Sequence, residues 1–184
     1  MAAPSGQLTA PSLRALLKDG SLAGEWTLDP GPSSIRLKTR NLLGLVPVRG
    51  VFRQVSGAGT VSPDGEVSGT VTVAAASIDT KNARRDTHLR SADFFDSGQK
   101  PDITFTVDGI RPSGQGVAVT GALTVRGCTR PLSFGAMASV RDDGEIWLDA
   151  EVHINRADFG LTWNLMGLVS MSNILTIHAV FTRR

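Results

Sequence analysis

The chain has 184 residues, 41% of them hydrophobic and 20% charged, which suits one domain with a sizeable core. A net charge of +2 carried by scattered basic residues, with no RNP-like Gly-aromatic pattern and no zinc-finger spacing, argues against nucleic-acid binding. No window approaches 18 consecutive apolar residues, so no membrane-spanning helix is expected, and a single cysteine, Cys128, excludes an intramolecular disulfide.

Residues 1–23 read as an N-terminal extension and 24–184 as the main domain. The start lacks a basic stretch followed by an apolar run, so the chain as written reads as cytoplasmic. Residues 1–11 are small and polar. A short helix is expected over 12–18, with Ser12 as N-cap and Leu13, Leu16 and Leu17 forming one apolar stripe that ends at Asp19-Gly20. That stripe must pack on something: the closed end of the main fold, a partner subunit, or only a loose attachment.

From Trp26 onward the hydrophobic period is two. Ile35 and Leu37 alternate with Arg36 and Lys38, and Val67, Gly69, Val71 and Val73 alternate with Ser68, Thr70 and Thr72. Further alternating runs cover 103–107, 117–126, 132–140, 146–154 and 174–181, separated by turn signals such as Pro63-Asp64-Gly65, Ser113-Gly114 and Asp142-Asp143-Gly144. About eight antiparallel strands with one wet and one dry face fit a closed up-and-down barrel or a two-sheet sandwich. One long charged insert interrupts them. It carries Arg85, Asp86, His88 and Arg90 on a helical stretch, then an aromatic corner at Phe94-Phe95, and ends at Pro101.

On the faces read as inward, Gly50, Gly69, Ala75, Gly121, Ala136, Ala138, Ala150 and Ala179 dilute the bulky Phe52, Phe105, Leu123, Phe134 and Leu148. Either the small residues oppose large ones across a filled core, or the barrel keeps a cavity for one apolar ligand with a few polar groups at its mouth.

Catalytic and metal chemistry find little in the sequence. His88 beside Asp86 and Arg85 serves as a general acid or base, as a polar ligand contact at a barrel mouth, or as a capping or solvated residue; Asp86 and Arg90 stand at i,i+4 for a pair worth roughly 0.3–0.5 kcal/mol when exposed. His153 lies on the outward face with Asp149 and Glu151, His178 is on another strand, and no HExxH or CxxC occurs, so no metal site and no catalytic residue is assigned. Cys128, between Arg126 and Arg130, reads as a small buried hydrophobe rather than a reactive thiol. Neither GxxxxGK[ST] nor GxGxxG precedes a helix, so no nucleotide cofactor is expected.

Seven segments in order carry a family likeness: Trp26-Thr27-Leu28-Asp29-Pro30 with Ser33-Ser34; Val48-Arg49-Gly50-Val51-Phe52; Ser77-Ile78-Asp79-Thr80; RDTHLRSADFFD at 85–96; Pro101-Asp102-Ile103-Thr104-Phe105; residues 119–127; and Ile154-Asn155-Arg156-Ala157-Asp158-Phe159-Gly160. Over about 25–183 the chain resembles the YceI-like family. The resemblance implies an eight-stranded antiparallel lipocalin-like β-barrel with a short helical insert and an N-terminal helix, whose interior binds a polyisoprenoid or other long-chain amphiphile, often as a homodimer. It places the helix at 83–90 and the Phe94-Phe95 corner near the pocket opening, and Phe105, Leu123, Phe159 and Trp163 on or near the ligand tunnel. Two positions depart from the family pattern: Asn41 stands where many members have His, and Cys128 replaces an aliphatic residue. Many members are exported, unlike the reading given to this N-terminus. The apolar connection Leu161–Met171 is expected to cover the tunnel and to move on ligand entry.

The function expected is non-catalytic binding, transport or storage of an isoprenoid or long-chain lipid. Phe52, His88, Phe94, Phe95, Phe105, Leu123, Phe134, Leu148, Phe159 and Trp163 are its candidate ligand contacts, and Arg85, Asp86 and Asn41 its polar contacts at the mouth. The alternatives are a hydrolase or other enzyme using His88 with Asp86 or Asp158, and a stress-related interaction module with a filled barrel.

Overall fold

The structure is a computed structural model that describes residues 6–7, 10–41, 46–114, 116–141, 143–163 and 169–184. Twelve strand segments appear among them: β1 (Gly6–Gln7), β2 (Gly24–Leu28), β3 (Ser34–Asn41), β4 (Val46–Phe52), β5 (Val55–Val61), β6 (Val67–Ala74), β7 (Ile78–Asp79), β8 (Asp102–Ser113), β9 (Gly116–Val125), β10 (Cys128–Val140), β11 (Ile146–Asn155) and β12 (Ser172–Arg183). Two helices accompany them, α1 (Ala10–Lys18) and α2 (Ala83–Arg90).

β2 to β12 make eight staves, because three long strands are each broken once, and β1 is a two-residue addition to the end of β10. β12 pairs β2 through Phe181↔Leu28 and β3 through Ile177↔Ile35, so β2 and β3 run along the same neighbour as one interrupted stave. At the break the Ser33 hydroxyl accepts from Val180 N–H (3.0 Å), replacing a ladder bond that the Asp29-Pro30-Gly31-Pro32 turn cannot make. β4 and β5 break at Arg53-Gln54, and β6 and β7 are separated by the 3₁₀ turn Ala75–Ser77. Ser77 ties these two breaks together, its carbonyl accepting from Arg53 N–H (3.1 Å) and its hydroxyl from Gln54 N–H (3.2 Å). The staves pair in chain order, all antiparallel, and β12 returns to β2 and β3, so that of the two architectures the alternation allows the chain forms the closed barrel that the family resemblance implies.

Closure is incomplete at one end in two places. β8 pairs β6 up to Ala74↔Asp102 but does not pair β7, and α2 fills the opening: Arg90 Nε donates to Ala76 O (2.7 Å) and Arg90 Nη2 to Ile78 O (2.8 Å). β10 pairs β11 only between Met137↔Asp149 and Val140↔Ile146, so the two diverge toward Cys128 and Asn155. The 3₁₀ turn Arg156–Phe159 packs there, and Cys128 Sγ donates to Asp158 O at 3.6 Å. Cys128 is therefore half-buried on a strand end rather than fully buried.

The opposite end is capped by α1. Leu13 and Leu16 are buried with Leu22, Trp26, Val117, Ala138 and Val140, so the apolar stripe plugs the closed end of the barrel. The helix begins at Ala10, before Ser12, which is thus inside the first turn and not the N-cap; Pro11 sits where a missing N–H costs least. Near the broken staves, Asp79 takes Arg53 (2.8 Å) and Lys81 (3.1 Å), and hydrogen bonds from Arg53 above all hold its carboxyl well below the usual aspartate range. Since folding lowers this pKa, its contribution is complete above the unfolded value of ~4 and is lost as the pH falls through the lower folded value.

Inward and outward small residues differ in what surrounds them. A Cβ on Gly121 would meet Thr106 O and lie 2.7 Å from Phe105 Cζ, so this glycine lets the Phe105 ring lie across the strand. Gly135, by contrast, is exposed with open space where its Cβ would go. Gly121→Ala is expected to destabilise the fold by about 1–3 kcal/mol, while Gly135→Ala stays within about 0.5 kcal/mol, both read by urea unfolding.

Candidate ligand-binding site

Inside the ring the protein's own atoms leave a cavity of about 290 Å³ that opens toward α2 and the Arg156 turn. Its walls are the inward positions of the staves, among them Leu28, Ile35, Leu37, Val73, Ile103, Leu123, Ile154 and Ile177. A second cavity of about 130 Å³ lies above α1 and shares Val71, Val107, Ile110, Leu148 and Phe181 with the first, so the two are successive chambers of one lumen. Packed cores leave few voids larger than a water molecule, so a chamber of this size is not ordinary core packing.

All ten apolar and aromatic candidates from the sequence line the larger chamber: Phe52, His88, Phe94, Phe95, Phe105, Leu123, Phe134, Leu148, Phe159 and Trp163. Phe105 and Phe134 meet midway down with ring centroids 5.6 Å apart, while Phe52, Phe95 and Phe94 form an edge-on chain at 6.0 and 5.4 Å near the opening. Leu161, Trp163 and Val169 also line the chamber, so the described parts of the 161–171 connection do lie over it. Residues 164–168 of that connection are outside the described residues.

The polar candidates divide. Arg85 lines the cavity, its Nε donating to Thr80 Oγ1 (2.7 Å) and its Nη2 to Thr80 O (2.9 Å). Asp86 does not line it. That carboxylate is 7% exposed, and it accepts from Thr80 N–H (3.0 Å) and Thr80 Oγ1 (2.5 Å), fixing the start of the insert from behind. Its i,i+4 partner Arg90 is turned the other way, onto the free edge of β7, because two backbone carbonyls there would otherwise lack donors. Asn41 ends β3 opposite Val46, and its side chain is outside the described residues.

His88 is packed among rings, 4.3 Å from Trp163 and 6.2 Å from Phe94 between centroids, and its Nε2 is buried without a hydrogen-bond partner. No carboxylate lines the chamber beside it. The other histidines face outward: His178 Nδ1 pairs with Asp149 at 2.6 Å across β11 and β12, and His153 with Glu151 at 3.4 Å. Among the described residues no group of three or more His, Cys, Asp or Glu could hold a metal ion.

Arg156 and Thr80 escaped the sequence reading. Arg156 is 3% exposed, follows the last residue of β11, and lines the chamber. Its Nη1 donates to Leu161 O (2.5 Å) and Trp163 O (2.8 Å), its Nε to Ser170 O (3.0 Å) and its Nη2 to Val169 O (3.5 Å). Burial pulls its guanidinium below the ordinary arginine value. The adjacent Asn155, which caps the turn, was legible as a turn former; that an arginine there points inward was not.

A closed eight-stranded meander with an apolar lumen, plugged at one end and polar at the other, defines a lipocalin-like ligand-binding barrel. The model of the YceI-like domain matches residues 26–181, and the chain belongs to that family. It is 32% identical to Protein YceI of Escherichia coli O17:K52:H18 over 131 residues, 67% of this chain and 68% of that protein. It is 33% identical to the UPF0312 protein plu2095 of Photorhabdus laumondii over 132 residues, 70% and 68% of the two chains. Among solved structures it is similar to BcnA of Burkholderia cenocepacia (TM-score 0.75, 22% identity, 83% of this chain and 98% of that one). A polyisoprenoid binding domain from Saccharophagus degradans, implicated in plant cell wall breakdown, superimposes with TM-score 0.69 at 18% identity over 86% of this chain and 98% of that one. The YceI protein of Campylobacter jejuni gives 0.62 at 28% identity over 74% and 85%.

The contrasting partners of Asp86 and His88 give different expectations. Asp86→Ala leaves two buried Thr80 donors without an acceptor and is expected to cost about 1–3 kcal/mol in urea unfolding. His88→Ala, which breaks no side-chain hydrogen bond among the described residues, is expected to cost less than Asp86→Ala in the same assay.

Proposed function

We propose that this protein is a non-catalytic carrier or store for a long-chain amphiphile, polyisoprenoid or fatty, whose tail lies in the barrel lumen and whose head group rests near α2. The observation that carries this reading is the lumen itself: two linked apolar chambers that the chain's own side chains leave unfilled. Each tail methylene buried there contributes roughly 0.8 kcal/mol before ordering costs, so a long tail supplies affinity with little dependence on its branching. A structural relative described as a polyisoprenoid binding domain supports the same class of guest.

The enzyme alternative finds less support, since His88 stands against aromatic rings and no acid lines the chamber to orient it. A filled-barrel interaction module is disfavoured by the volume that remains. The homodimer and the cytoplasmic setting are part of the proposal; the first rests on the family resemblance and the second on the character of the N-terminus, and light scattering and cell fractionation test them.

Displacement of a fluorescent long-chain probe tests the lumen. Phe105→Asp, which sets an unpaired charge midway, is expected to abolish binding, and Ala179→Phe, which fills the wall with apolar bulk, to weaken it at least tenfold. His88→Ala is expected to weaken it less than tenfold. Unchanged affinity in Ala179→Phe, or equal loss in Phe105→Asp and His88→Ala, would contradict a tail-dominated site.

A further inference from the structure

We propose that the head group received at the mouth of this lumen is an anion, a carboxylate or a phosphate monoester, held by Arg156 and Arg85 with His88 beside them. The inference rests on the reading that the lumen holds a long tail, and it assigns the chemical class of the head.

Among the described residues the chamber is lined by two arginines and no aspartate or glutamate. Arg156 is almost fully buried and makes no ion pair among the described residues, where every hydrogen bond of its guanidinium goes to a backbone carbonyl. Carbonyl dipoles offset part of a buried cation's desolvation but leave its net charge, and an uncompensated buried ion costs several kcal/mol. Desolvation alone accounts for the lowering of its pKa, as expected where no counter-charge is near. Arg85 differs in degree: Asp86 stands behind it, two hydrogen bonds away through the Thr80 hydroxyl. Its Nη1 group, however, has no protein partner among the described residues.

Geometry brings these groups to one place. The Arg156 guanidinium lies 5.4 Å from the centre of the Phe94 ring and donates to Trp163 O; His88 packs against the same two side chains. Arg85 is three residues before His88 on α2, hence on the same helical face. The buried, unpartnered Nε2 of His88 therefore belongs to a residue that lines the same apolar lumen as two cations. A neutral head group would satisfy His88 yet leave Arg156 uncompensated, an ammonium head would add a third like charge, and an anion satisfies all three groups.

The test uses four ligands with one hexadecyl tail and different heads, hexadecanoate, hexadecyl phosphate, hexadecanol and hexadecylamine, each displacing a fluorescent probe from the wild-type protein at a pH of about 8. The acid or the phosphate, whichever head fits, is expected to bind at least about tenfold more tightly than the alcohol, with the amine weakest. Arg156→Met and Arg85→Gln should each narrow that anion-over-alcohol ratio at least about fivefold. Because Arg156 also holds the backbone after Gly160, the wild-type series and Arg85→Gln decide the matter if Arg156→Met does not fold. Hexadecanol matching both anions would overturn the anionic head while leaving the carrier reading intact. Failure of all four to bind would overturn that reading and this inference with it.

Discussion

Everything in this molecule depends on β12 being paired along both edges, with β11 on one side and with β2 and β3 on the other. Once the ring is closed, the two-residue period leaves each side chain only two directions, and the inward half is committed to a lumen whose width is set by eight staves rather than by side-chain volume. Glycine and alanine at several inward positions then determine that the lumen is not filled. Gly121 illustrates the trade: it opens no space itself, because Phe105 covers it, but it allows a large ring to lie flat on the wall instead of across the passage.

Among the described residues, the two gaps in the ring lie where polar chemistry collects. Between β7 and β8 the gap is filled by α2, whose Arg90 satisfies the carbonyls of the free edge while Arg85 and His88 reach the chamber. Where β10 and β11 part, the turn at Arg156 fills the space and brings in a second guanidinium. At the other end α1 closes the barrel with leucine, tryptophan and valine contacts. The molecule is thus polarised along the barrel axis, apolar and plugged below, cationic and interrupted above, which matches an amphiphile entering tail first.

Much of this was legible in the sequence because period and turn chemistry are local. The alternating runs located β9 to β12 within a few residues but ended β8 six residues early, at 107 where the strand runs to Ser113, and the inward aromatic and aliphatic strand positions that line the chamber follow from their parity. What parity cannot give is what a charged side chain does after it leaves the backbone. Asp86 and Arg90 have helical spacing for a pair, yet the first turns back onto Thr80 and the second onto β7, each drawn by buried backbone groups that only the fold creates. Arg156 was hidden for the same reason: nothing in Asn155-Arg156-Ala157-Asp158 distinguishes an arginine in solvent from one enclosed by four carbonyls. Ser12 was misplaced as a cap because helix starts depend on the chain preceding them, and proline is as good an opening residue as serine.

The central claim is that the lumen exists to be occupied by a guest. Native mass spectrometry of freshly purified protein, paired with organic-solvent extraction and identification of what is released, addresses it most directly. The account predicts one long-chain amphiphile per chain, released by solvent and restored by adding it back. A protein that carries no such molecule from any expression host, and takes up none when polyprenyl or fatty amphiphiles are supplied, would contradict it.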